Sequence, residues 1–65
     1  MKAFKATEYI ETLPNGTVFL FNRRLYWLCN GLDDRIIMDI DGNWKLAKEQ
    51  KGKASSIRVM FKPKH

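Results

Sequence analysis

The carboxylates of this sequence come in close groups, Asp33-Asp34 and Asp39-x-Asp41-Gly42-Asn43, a spacing that raises the question of calcium. An EF-hand loop needs glycine at its sixth position and a bidentate glutamate at its twelfth. Counted from Asp39, glycine comes fourth and Gln50 stands twelfth, so the segment reads as a tight turn. Cys29 falls in strand phase with Leu25 and Trp27, which predicts a small core residue rather than a reactive thiol. The sole histidine, His65, follows Pro63 at the terminus, where it cannot serve as the base of a nucleophilic triad. One cysteine and one histidine do not fill a structural zinc site. Gly52-Lys53-Ala54-Ser55 echoes a phosphate-binding loop but lacks its first glycine and any helical pattern behind it. Asn15-Gly16-Thr17 is formally a glycosylation sequon, which carries no weight without a secretory signal. The inventory predicts no enzyme, no metal and no cofactor.

Charge is the remaining chemical signal. Twelve Lys and Arg against seven Asp and Glu leave a net charge of +5. Residues 1–44 hold five bases against six acids, whereas residues 45–65 hold seven against one. A basic segment on a folded domain attracts polyanions, so DNA or RNA is the first partner to consider; the plain alternative is that surface lysines keep a small protein soluble. The expected phosphate contacts are Arg23, Arg24, Lys45, Lys48, Lys51, Lys53, Arg58, Lys62 and Lys64, with Trp44 or Tyr26 stacking on bases. Lysines outnumber arginines six to one in residues 45–65, and lysine acts as a point charge, so binding with little sequence preference is expected.

Period-2 alternation dictates the elements that must position these residues. Gly16 to Phe21 and Leu25 to Cys29 are apolar runs separated by Asn22-Arg23-Arg24, which reads as a β-hairpin. A strand over Arg35 to Ile40, the turn Asp41-Gly42-Asn43 and a strand from Trp44 to Lys48 form a second hairpin. Glu49 to Ser56 lacks an apolar anchor and reads as a mobile basic loop, followed by a last strand over Ile57 to Lys62 that Pro63 ends. Near the start, Thr7 is placed to cap one helical turn over Glu8 to Glu11, and a short first strand is expected over Lys2 to Ala6. Five or six short strands with at most one or two helical turns predict an all-β fold, a small antiparallel SH3-like barrel, with the OB-fold as second choice.

At 65 residues the chain makes a single domain over 1–65, and it buries only roughly 60% of its unfolded surface. Without disulfides or zinc, its stability rests on packing, with oligomerisation or a partner as further support. No apolar run reaches the roughly 18 residues of a membrane span, and Met1-Lys2-Ala3-Phe4-Lys5 is not a signal-peptide start, so a cytoplasmic location is expected.

Leu13-Pro14-Asn15-Gly16-Thr17-Val18-Phe19, then a polar turn, a strand with an aromatic at Tyr26, and Gly42-Asn43-Trp44 resemble small SH3-like barrel accessory proteins of bacteriophage and prophage genomes. The resemblance spans about residues 8–48, with Trp27 and the long basic loop as departures from the pattern. It implies an accessory protein made in a bacterial host's cytoplasm and no shared activity.

Alternation also sets a packing problem. Phe19 and Phe21 oppose Val18 and Leu20, and Tyr26 and Leu28 oppose Leu25, Trp27 and Cys29. A domain this small cannot bury both faces, so one is expected to be at least partly exposed. Strand phase assigns the core to Val18, Leu20, Leu25, Trp27, Ile36, Met38, Ile40, Leu46, Ile57, Val59 and Phe61. The surplus face offers an alternative function, a protein-interaction module such as a phage factor that inhibits or redirects a host protein, and either function is compatible with a homodimer.

Overall fold

The computed structural model describes residues 5–63; most of the strand expected over Lys2 to Ala6 lies outside them, as do Lys64 and His65. Five strands form one antiparallel sheet: β1 (Val18–Phe21), β2 (Arg24–Asn30), β3 (Arg35–Asp39), β4 (Trp44–Leu46) and β5 (Ile57–Phe61). Their order is β4-β3-β2-β1-β5, a meander whose last strand returns beside the first. The all-β expectation of five or six strands is met with five. Among the described residues no ladder joins β4 to β5.

The turns follow from their residues. Asn22 and Arg23 both take positive φ, 52° and 65°, the geometry of a two-residue type I′ hairpin whose twist matches the flanking strands. At the β3–β4 turn the Asp39 carboxylate accepts the backbone N–H groups of Asp41 (2.9 Å) and Asn43 (3.0 Å), while Gly42 supplies φ 85°. Asp39, the first acid of the segment that suggested calcium, thus binds its own backbone.

A short helix, α1 (Ala6–Glu11), lies on one sheet face. Its start differs from expectation. Lys5, not Thr7, is the N-cap, because the Ala6 N–H is held by the Gly52 carbonyl (2.9 Å) and Lys5 bridges Lys53, which starts the helix two residues earlier. The Glu8 carboxylate accepts the Lys5 N–H at 3.0 Å. The same contacts pin the segment that read as a mobile loop. It contains two 3-10 turns, Ala47–Glu49 and Ala54–Ser56, and a Cβ on Gly52 would meet the Phe21 ring at 3.4 Å. That is ordinary contact, and the demand for glycine comes from the backbone, which takes φ 139° there.

The core consists of Ala6, Ile10, Leu13, Phe19, Phe21, Tyr26, Leu28, Ile37, Ala47 and Ile57, with Tyr9 and Val59 packed against it. The expected core is therefore inverted over β1 to β3. Ile57 and Val59 are placed as expected, whereas Val18, Leu20, Leu25, Trp27, Ile36, Met38, Leu46 and Phe61 are half-buried or exposed and Ile40 stands in solvent. Cys29, expected in the core, is only half-buried. The reason is tertiary. Both faces of the hairpin are apolar, and the face that α1 and the 3-10 turns cover becomes the inside.

One side chain ties that cover down. From the start of β3, the Arg35 guanidinium donates to the carbonyls of Ile10 (3.1 Å), Glu11 (3.4 Å) and Leu13 and to Asn15 Oδ1 (3.0 Å). A cation thus meets the carbonyls at a helix C-terminus, to which it adds donors and charge beside the Leu13 N–H that Ile10 already accepts.

The inverted core sets the expected mutant behaviour. Phe19→Ala should cost about 3–5 kcal/mol and unfold a domain this small, whereas Trp27→Ala should leave a folded protein, both read by thermal denaturation. A Trp27→Ala variant that is unfolded while Phe19→Ala melts normally would reverse the faces again. Arg35→Lys keeps the charge but loses the fork of donors, and is expected to lower stability by about 2 kcal/mol in urea denaturation.

Candidate functional site

The face of the sheet turned away from α1 carries an apolar ladder. Backbone register places Phe61 beside Val18, Val18 beside Trp27, Trp27 beside Met38 and Met38 beside Trp44, one residue from each of the five strands. Phe61, Trp27 and Trp44 are 59%, 40% and 60% exposed. Parallel to this row run Cys29, Ile36 and Leu46 on one side and Arg58, Leu20 and Leu25 on the other. A register irregularity between Val18 and Phe19 sets Met60 as the extra residue of β5, and its side chain is also exposed. Next to Trp44 the face dips into an open cavity of about 280 Å³ lined by Gly31, Leu32, Asp33, Asp34, Ile36, Trp44 and Leu46.

The residues expected to contact nucleic acid do not form one surface. Tyr26 is 2% exposed and its ring lies 5.9 Å from that of Phe19, so it cannot stack on a base; its hydroxyl points to Lys45, whose Nζ lies 3.5 Å away. Lys45 pairs across the sheet with the core residue Ile37, and so belongs to the face opposite its neighbour Trp44. Lys48 is engaged with Asp34 at 3.2 Å. Lys62 follows the far end of β5, and Lys64 lies outside the described residues. The charge excess of the last third is therefore divided by the fold.

A smaller group does converge. Arg23 and Arg24 occupy the β1–β2 turn, and Arg24 and Ile57 are both register partners of Phe21. Arg58 pairs with Leu20, Lys51 and Lys53 flank the glycine pressed on Phe21, and Lys53 bridges Lys5. Six bases thus gather at one end of the sheet, where only the Arg24 guanidinium has an ion-pair partner among the described residues, Asp39 at 3.7 Å. Opposite them, at the β2–β3 end, lie Asp33 and Asp34.

No family model, no curated protein and no solved structure matches the chain. Among the described residues no helix is long and apolar enough to cross a membrane, and no group of three or more His, Cys, Asp and Glu side chains is placed to hold a metal ion.

Sequence reasoning missed Leu25, Trp27 and Phe61 as surface residues, whereas Met60 is exposed as its strand phase implied. The alternation that revealed two apolar faces carries no mark of which one the helix will cover. Arg23 had a readable signal, since the second position of an Asn-x type I′ turn ordinarily holds glycine. Arg23→Gly should raise stability by about 1 kcal/mol in chemical denaturation, by relieving the left-handed backbone of a β-carbon. An unchanged or lower midpoint would show that the arginine side chain itself stabilises the turn.

Proposed function

We propose that this chain is a protein-docking module whose outer sheet face closes against another polypeptide. The observation that supports the reading is the unpartnered ladder Phe61, Val18, Trp27, Met38 and Trp44 across all five strands. Covering its half-exposed large side chains is worth about 1 kcal/mol apiece or more, whereas an exposed charge pair contributes about 0–1 kcal/mol and weakens with salt. Apolar contact therefore outweighs charge as the source of affinity, and the bases serve orientation and encounter rate.

Nucleic-acid binding stands second, supported by the six bases at the β1–β2 end, one of them held in a left-handed backbone conformation. It ranks lower because Tyr26 is buried, Lys45 lies on the helix-covered face, and the exposed Trp44 sits on the edge strand farthest from β5.

Capture from bacterial lysate separates the two. Tagged protein should retain protein partners after nuclease treatment, keep them when Arg23, Lys51 and Lys53 are changed to Glu, and lose them in a Leu25→Ser, Trp27→Ser, Trp44→Ser variant. Capture that disappears with nuclease and with the charge reversals, and that falls steeply with salt, would transfer the function to nucleic acid.

A further inference from the structure

Two edges of the outer face carry opposite charge. On the β5 edge Arg58 stands at the end near the β1–β2 turn and Lys62 at the other end. On the β4 side Asp41 lies in the β3–β4 turn, at the same end as Arg58, and Asp33 and Asp34 line the cavity at the end shared with Lys62, where Asp34 is already paired with Lys48 and Asp33 has no ion-pair partner among the described residues. A two-fold axis running along the strands above β2 carries the β5 edge of one copy onto the β4 edge of another without changing which ends meet. Arg58 then comes to Asp41 and Lys62 to Asp33, twice each by symmetry. The same operation brings the exposed Phe61 of each copy to the cavity beside Trp44 of the other. That open cavity, at about 280 Å³, has room for a single large side chain. Aligned face-to-face packing of twisted sheets is an ordinary way to bury such a surface, and an isologous dimer needs a patch complementary to itself.

We propose that the polypeptide covering the outer face is a second copy of this chain, in a two-fold dimer with Phe61 of each subunit seated in the Trp44 cavity of the other. The inference rests on the outer face being a docking surface and names its occupant. Trp27 lies near the axis and meets its own counterpart, which closes the centre of the interface. The acidic and basic edges fix the orientation, because the alternative axis across the strands would lay β5 on β5 and oppose like charges.

Sedimentation velocity across about 1–100 µM tests it, over the range in which a weak specific dimer titrates. Wild type should run at twice the mass of one chain at the upper end. Phe61→Asp and Trp44→Ala should each raise the dissociation constant about tenfold or more while keeping the circular dichroism of the folded sheet, since both side chains are exposed in the monomer. Lys62→Glu should weaken the dimer, and Lys62→Glu with Asp33→Lys should restore it. A monomer at every concentration overturns self-pairing but leaves docking intact if lysate capture still depends on Leu25, Trp27 and Trp44. A dimer insensitive to Phe61→Asp and Trp44→Ala, or one that the double charge exchange does not restore, places the contact elsewhere and overturns the proposal.

Discussion

Arg35 decides which side of this sheet is the inside. Its guanidinium, at the start of β3, gathers the last carbonyls of α1 and the chain that follows it, and so holds the helix against one sheet face. A six-residue helix has no independent stability in water, so it persists only where its apolar residues and its terminal carbonyls are both satisfied. Ile10 and Leu13 supply the first and Arg35 the second. The choice then propagates through register, because β1, β2 and β3 are paired residue against residue, and burying Phe19 turns Trp27 and Met38 outward.

The consequence is a sheet with more apolar side chains than one core can hold. Phe19, Phe21, Tyr26, Leu28 and Ile37 fill the side under the helix, where Tyr26 is completed by the Lys45 ammonium at 3.5 Å from its hydroxyl and 5.9 Å from its ring centre. Val18, Leu25, Trp27, Met38 and Trp44 are left on the other side with no element of the described chain to cover them. A row of this width on a domain of 65 residues is more than scattered surface hydrophobicity, and it is the physical basis for reading the molecule as half of an interface.

Charge follows the fold rather than the sequence order. Bases from both ends of the chain, Lys5 as well as Lys51 and Lys53, meet at the β1–β2 turn because the Gly52 carbonyl anchors the start of α1. Lys45 and Lys48, neighbours of Trp44 in sequence, are drawn away from it, one to Tyr26 and one to Asp34. Arg58 and Lys62 stay on the β5 side, which leaves the outer face with edges of opposite sign.

The sequence by itself determined the strands, the turns and the existence of two apolar faces, because alternation and turn chemistry are local: Asn22-Arg23 forms its hairpin and Asp39 folds the chain back onto its own N–H groups. It also placed one helical turn near the start and the final strand at Ile57, although the register irregularity beside Val18 carries Phe61 out of the phase of Ile57 and Val59. It did not determine which face would be buried. Phe19 and Trp27 are both large and apolar, so alternation weighs them alike, and long-range contacts break the tie, with Arg35 holding the end of α1 and the Gly52 carbonyl its start. The grouping of the bases was likewise a tertiary outcome, since a period along the chain cannot report that Gly52 will sit against Phe21 or that residue 5 will bridge residue 53.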